Sequence, residues 1–289
     1  FMSATGGGVR RYHLEKLAHF EDSDEVDYHL VVPSDVTKRE ARGSATLHYV
    51  TCPDLFGTGY RPILRPRWLR ALLLELRPDV VEVGSPYIAP DLVRWATRGL
   101  DCRIVGFWHA HYPIAYARNF FGRFSSAVGG AAEKASWWWA RRTYGRFDRT
   151  MAAAGCLTGT LREAGIDNVS RTPLGVDLGQ FSPSRRDDAL REEWGAGPDD
   201  VVVAFPHRLC EEKRLDDFLR AYEMVRERTK HRPIVVVAGQ GHLRGRVEEL
   251  ARRDERFHYL GYLSGRDEMA RVLASSDVVV ALSPTETFG

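Results

Sequence analysis

Pro233-Ile234-Val235-Val236-Val237-Ala238-Gly239-Gln240-Gly241-His242-Leu243-Arg244 is the stretch that decides the fold. The continuous apolar, mostly β-branched run from Ile234 to Ala238 reads as a strand covered on both faces, which a parallel sheet makes when helices pack on each side. The glycines after it open a turn, and a helix-period segment follows. Working outward, the same unit recurs. Strands are expected over 28–32, 45–50, 80–83, 103–108, 149–153, 201–205, 234–238, 258–260 and 278–282. Helices are expected over 9–20, 67–76, 131–144, 157–164, 215–228, 243–252 and 266–274. Such alternation predicts an α/β protein with parallel sheets. Composition turns polar and Pro/Gly-rich over 181–199, so two doubly wound, Rossmann-like domains are expected, 1–183 and 184–289, with a cleft between them.

The 289 residues are 44% hydrophobic and 28% charged, as in a globular chain, and the net charge of +2 gives no overall attraction to nucleic acid. Cationic charge is nearly all arginine; lysine occurs only at Lys16, Lys38, Lys134, Lys213 and Lys230, so each lysine is a candidate for particular chemistry. Cys52, Cys102, Cys156 and Cys210 form no CxxC pair, which fits neither a zinc site nor a disulfide framework. With no apolar run of membrane-spanning length and no signal-peptide pattern, the expected location is cytoplasmic.

Several segments could carry chemistry. Gly6-Gly7-Gly8 precede a helix, where backbone N–H groups and the helix dipole suit an anion; a plain flexible turn is the alternative. Strand 201–205 runs into Pro206-His207-Arg208-Leu209-Cys210-Glu211-Glu212-Lys213-Arg214, placing Arg208 and Lys213 at the C-terminal end of a parallel strand, where such sheets bind ligands. An Arg fork beside a Lys point charge suits a diphosphate; the alternative is a solvated helix start paired with Glu211 and Glu212. Residues 239–245 resemble a degraded dinucleotide fingerprint, but the third glycine is one position late and the next strand supplies no ribose-binding acid, so a tight turn fits better. His109 and His111 follow strand 103–108; as a metal pair they lack further ligands, and His109 suits hydrogen bonding to a substrate. Asp22-Ser23-Asp24 matches a DxD pattern but precedes a strand and reads as a solvated turn. The last seven residues, Ser283-Pro284-Thr285-Glu286-Thr287-Phe288-Gly289, put a carboxylate and a glycine turn at a strand end. The aromatic and basic stretch 107–149, with Phe120, Phe121, Phe124, Trp137, Trp138 and Trp139, could meet an anionic membrane. The preferred reading packs Trp138 and its neighbours into the domain, since successive tryptophans cannot share one helical face.

Taken in order, Gly7-Gly8-Val9, 108–113, Gly175-Val176-Asp177 with Phe181 and Pro183, Arg208 to Lys213, Gly239-Gln240-Gly241, Leu260-Gly261-Tyr262 and 283–289 resemble the family 4 glycosyltransferases, retaining enzymes of the GT-B architecture. The resemblance runs over essentially the whole chain. It implies an N-terminal acceptor-side domain and a C-terminal nucleotide-sugar domain. Gly7 and Gly8 would approach the donor diphosphate, Arg208 and Lys213 would neutralise it as it leaves, and His109 would contact the donor sugar. Glu286 would be the first carboxylate of the family's E-x7-E element; Thr287, Phe288 and Gly289 would offer N–H groups to sugar and phosphate. Gly261, Tyr262 and Leu263 would lie against the nucleobase. The resemblance further implies a hexosyltransferase that uses a UDP- or GDP-sugar as co-substrate, with no metal and no other cofactor. Its acceptor would be a sugar, polysaccharide or lipid-linked hydroxyl, reached with peripheral contact at the inner membrane face.

The chain departs from the pattern at His207 and Arg214, where the family usually has glycine, and at His111, often an acid. The second E-x7-E carboxylate would fall beyond Gly289, and the family's first strand and closing helices are not seen, so truncation at both ends is expected. Two other readings stay open: a sugar-nucleotide-binding module without turnover, and an NAD(P)-dependent oxidoreductase resting on 239–245 alone.

Overall fold

The computed structural model describes residues 8–55, 61–114, 125–229 and 232–287. Its contacts divide it into two compact units, one ending at Pro173 and the other beginning at Leu174.

The first unit opens with helix α1 (Gly8–Phe20), then β1 (Tyr28–Ser34), β2 (Lys38–Arg42) and β3 (Ala45–Thr51). β1 and β3 are parallel, and β2 folds back antiparallel on the other side of β3. β2 was not expected, because Lys38-Arg39-Glu40-Ala41-Arg42 has no apolar alternation. It is a largely exposed edge strand, where charged side chains discourage pairing with another molecule. Next come α2 (Pro66–Leu76), β4 (Val80–Val83), α3 (Ala89–Ala96), β5 (Arg103–Phe107), α4 (Ser126–Tyr144), β6 (Arg149–Ala152), α5 (Gly155–Glu163) and β7 (Val169–Arg171). Strands β4 to β7 form a parallel sheet in sequence order. Trp108, Tyr144, Phe147, Leu157, Leu161 and Ile166 fill its core. α1 joins the two sheets: Leu17 packs with Ala45 and Leu47 of β3, while Tyr12 and Lys16 reach Glu82 of β4.

Ser125 caps α4, its Oγ accepting from the Val128 N–H at 3.1 Å. Trp137 and Trp139 pack against the core, and the Trp139 indole donates to the Pro86 carbonyl at 2.9 Å. Trp138 corrects the expectation. A step of about 100° per residue turns it off the face its neighbours use, and it stands 57% exposed.

In the second unit, α6 (Asp188–Glu193) precedes β8 (Val202–Phe205), followed by a 3-10 turn (Glu211–Lys213), α7 (Leu215–Arg228), β9 (Ile234–Ala238), α8 (Arg244–Arg253), β10 (Phe257–Gly261), α9 (Arg266–Ala274) and β11 (Val278–Val279). The sheet is all parallel in the order β10-β9-β8-β11. Every residue of β9 is buried, as its continuous apolar run required. β11 is shorter than expected and is not a buried strand: it pairs only with β8, and Val278 and Val279 are 47% and 49% exposed. Its anchor is a polar cluster at the N-terminal ends of the strands. The buried Arg191 guanidinium donates to Asp277 Oδ2 and to the Ser275 and Asp200 carbonyls, at 2.9, 2.9 and 2.8 Å. Asp277 Oδ2 also accepts from the Val202 N–H of β8 at 2.8 Å. These donors hold the carboxyl below its ordinary range, although burial pushes the other way.

Candidate functional site

Strand order fixes where a ligand can sit in the second unit. The chain steps from β8 to β9 to β10 in one direction, then β11 adds on the other side of β8. The strand order thus reverses between β8 and β11, and the C-terminal ends of strands at such a point are where open α/β sheets bind ligands. Arg208 and Lys213 follow β8, and Glu286 follows β11. A cavity of about 290 Å³ lies at the other end of this sheet, lined by Pro198, Asp199, Arg232 and Pro233 among others, and holds none of these residues.

The structure brings Arg208, Lys213 and Glu286 together with Glu212, one of the two acids expected as alternative partners of the basic cluster. Glu212 Oε2 accepts from Arg208 Nη2 at 2.7 Å, and its Oε1 lies 3.7 Å from Lys213 Nζ. Lys213 Nζ also pairs with Glu286 Oε1. Lys213 is mostly buried, whereas Arg208 is 60% exposed. Of the two acids considered as partners of the basic cluster, Glu212 does the pairing. Glu211 instead pairs with His242, at 2.7 Å.

The glycines of 239–241 explain how the loop after β8 is held. A Cβ on Gly239 would overlap the His207 carbonyl oxygen, and one on Gly241 would overlap that of Leu209. The Leu209 N–H donates to the Gln240 carbonyl at 2.9 Å, and the Leu243 N–H to the Leu209 carbonyl at 3.1 Å. Gly239 also adopts φ +149°, open only to glycine in practice. The Gly-x-Gly pair thus seats the loop that carries Arg208.

The two departures from glycine have different consequences. His207 links β8 to β11: its Nε2 lies 3.0 Å from the Val280 carbonyl, which can only accept, so Nε2 carries the hydrogen. Burial lowers its pKa, while the hydrogen bond to Val280 pushes the other way. Arg214 sits at φ 55°, ψ 42°, the left-handed region between the 3-10 turn and α7. Glycine suits that geometry, and Arg adopts it at a cost.

Of the remaining residues in this unit, Gly261 ends β10 at φ +72°, and its carbonyl accepts from the Gly239 N–H at 2.7 Å. Tyr262 beyond it is half exposed, and Leu263 packs on the core. Thr287 lies at the end of the described segment; Phe288 and Gly289 lie outside the described residues.

In the first unit, Gly8 begins α1, and Gly7 lies outside the described residues. His109, just past β5, stacks on Phe107 at 4.5 Å and meets the Tyr12 ring at 5.0 Å. Burial, then the neighbouring His13 and Lys16, brings its pKa down to about 3. His13, half-buried beside Gly84, falls to about 4 for the same leading reason. His111 instead enters the core against Trp108 and Trp137. Asp22 and Asp24 are exposed in the turn after α1. Phe120, Phe121 and Phe124 lie outside the described residues.

Comparison with known proteins places these features in context. Residues 6–180 match the model of glycosyltransferase family 4, and residues 186–289 that of glycosyl transferases group 1. A GDP-mannose-dependent alpha-(1-6)-phosphatidylinositol dimannoside mannosyltransferase of Mycobacterium tuberculosis is 30% identical over 100% of this chain and 73% of its own length. A GDP-mannose-dependent alpha-mannosyltransferase of the same organism is 32% identical over 77% of this chain and 53% of its own. Among solved structures, sucrose-phosphate synthase from Thermosynechococcus elongatus aligns with a TM-score of 0.72 at 13% identity, over 98% of this chain and 72% of that one. An E. coli trehalose-6-phosphate protein bound with UDP-2-fluoro glucose aligns at 0.67 and 14% identity, over 99% and 77%.

Proposed function

The chain belongs to glycosyltransferase family 4 and has its GT-B fold, and on that premise we propose that it moves a hexose from a nucleoside diphosphate sugar to a hydroxyl acceptor with retention. The observation that carries this reading is the gathering of Arg208 and Lys213, beyond β8, with Glu286, beyond β11, at the C-terminal ends of these neighbouring strands. As the C1–phosphate bond breaks, negative charge gathers on the diphosphate, and two cations aimed at it stabilise that charge more than the ground state. They supply what a divalent ion would otherwise provide, so the reading includes metal independence. The acceptor hydroxyl attacks C1 on the face the diphosphate leaves, and its proton passes to the departing phosphate oxygen. His109, held neutral, is the proposed hydrogen-bonding partner of a sugar hydroxyl, and Glu286 the proposed sugar carboxylate. Backbone N–H groups of Gly7, Gly8, Thr287, Phe288 and Gly289 would meet sugar and phosphate, and Gly261, Tyr262 and Leu263 the base.

GDP-mannose is the first donor to test, because both mycobacterial relatives are named for it. Arg208→Ala and Lys213→Ala are each expected to lower transfer by about 100-fold or more. Activity within about threefold of wild type for both would overturn the assignment. Calorimetric binding of GDP or UDP should survive a chelator; its loss would refute metal independence. Binding without turnover of any donor would favour the module reading.

No helix among the described residues is long and apolar enough to cross a membrane. Peripheral contact is the proposed route to a lipid-linked acceptor, on the strength of exposed Trp138 with Lys134, Arg141 and Arg142 one turn away on α4.

A further inference from the structure

The quartet around Lys213 has an arithmetic that the assigned roles do not explain. Arg208 and Lys213 bring two positive charges, and Glu212 and Glu286 bring two negative ones, so the cluster as it stands is formally neutral. A diphosphate is held more tightly as the charge facing it becomes more positive, so displacing a carboxylate from this quartet favours its binding.

The two carboxylates differ in how they are held. Glu286 lies on an irregular segment beyond β11, tied to the site through Lys213. Glu212 is built into the 3-10 turn, which is closed by Lys213 N–H to the Cys210 carbonyl at 3.1 Å and Arg214 N–H to the Glu211 carbonyl at 2.9 Å. Its side chain is 17% exposed, and each of its oxygens faces a different cation. Glu286 is held by its pair with Lys213 on irregular backbone, whereas Glu212 is held between two cations on a hydrogen-bonded turn, so Glu286 is the easier of the two to displace.

Resting on the donor-site reading given above, we propose that Glu212 is the residue that sets nucleoside diphosphate affinity, a fixed counter-charge that keeps the site from trapping its own product. With Glu286 displaced and Glu212 in place, one net positive charge faces the diphosphate; without Glu212 there would be two. Glu212 also steadies Arg208, so its removal acts in two opposite directions. Freeing one exposed arginine loosens binding by the cost of ordering a single side chain. Removing a carboxylate within a few ångströms of a multiply charged anion, in a partly buried site, tightens it by more. The charge effect is the larger and gives the sign.

The experiment is calorimetry and steady-state kinetics on Glu212→Gln and Glu212→Asp, with GDP and UDP as probes. Glu212→Gln is expected to bind the preferred nucleoside diphosphate about tenfold tighter than wild type and with steeper salt dependence. Its kcat and KM should both fall as product release slows. Glu212→Asp, which keeps the charge on a shorter arm, should not show the tightening seen with Glu212→Gln. A variant that merely disturbs the fold would bind more weakly and melt earlier. Unchanged or weaker binding by Glu212→Gln, at a wild-type melting temperature, overturns the inference. If Glu212→Gln melts earlier, Glu212→Ala takes its place under the same criterion. Arg208→Ala separates the two levels of the argument: if wild type binds neither nucleotide, or Arg208→Ala binds as well as wild type, the donor-site reading fails and takes this inference with it.

Discussion

Arg214 is the residue whose backbone says most about the loop it closes. At φ 55° its Cβ is crowded by the chain, which costs about 1 kcal/mol relative to glycine. Its ion pair with Asp217 is half exposed and returns little of that. Arg214→Gly is therefore expected to raise stability by about 0.5–1 kcal/mol, read as a rise of about 1–2 °C in the melting temperature; a lower melting temperature would contradict it. The sequence marked this position as one where the family has glycine, but the reason is geometric and lies in a dihedral angle. The same holds for Gly239 and Gly241. Their spacing suggested a nucleotide fingerprint, and only the carbonyls of His207 and Leu209 pressed against them show that they make room for a neighbouring loop. Glu212 was legible only as a possible partner, because that its two oxygens divide between two cations depends on how the 3-10 turn folds.

At the scale of elements, the short valine-rich strands were legible almost to the residue: β4 and β9 span the expected 80–83 and 234–238. β2 was hidden because an edge strand needs no buried face. α3 was hidden because it is short and its one start signal, Pro90 in the first turn, is weak alone. β11 misled in the opposite sense, since composition cannot tell a central strand from an edge. α4 carries the prediction proper to this scale. Trp138 projects from it between basic residues, so wild type is expected to sediment with vesicles containing anionic lipid and not with neutral ones. Trp138→Ala should reduce that bound fraction by about threefold or more. Equal sedimentation of variant and wild type would remove the membrane role of this helix.

For the whole molecule, half-buried histidines held neutral contribute to the response to acid. His13 and His109 have pKa values of about 4 and about 3, below the ordinary 6.5. The unfolded chain therefore takes up protons first as pH falls. Stability from these groups is complete above about pH 6.5 and is lost toward about pH 3–4. At about pH 5 each costs about 2 kcal/mol. The urea midpoint of the first unit should drop between about pH 7 and about pH 5, and His13→Gln should flatten that drop; a midpoint indifferent to pH would refute it.

The order β10-β9-β8-β11 has a consequence for how the second unit is made. β8, β9 and β10 follow one another through single helices, whereas the Val202–Asp277 bond that docks β11 on β8 closes a span of 75 residues. Closing the longer loop costs more chain entropy, so β11 joins last in folding. Glu286 reaches Lys213 only after that step. Recovery of any nucleotide binding during refolding should thus trail recovery of β8 to β10, which makes the proposed anion site a clock for the final act of assembly.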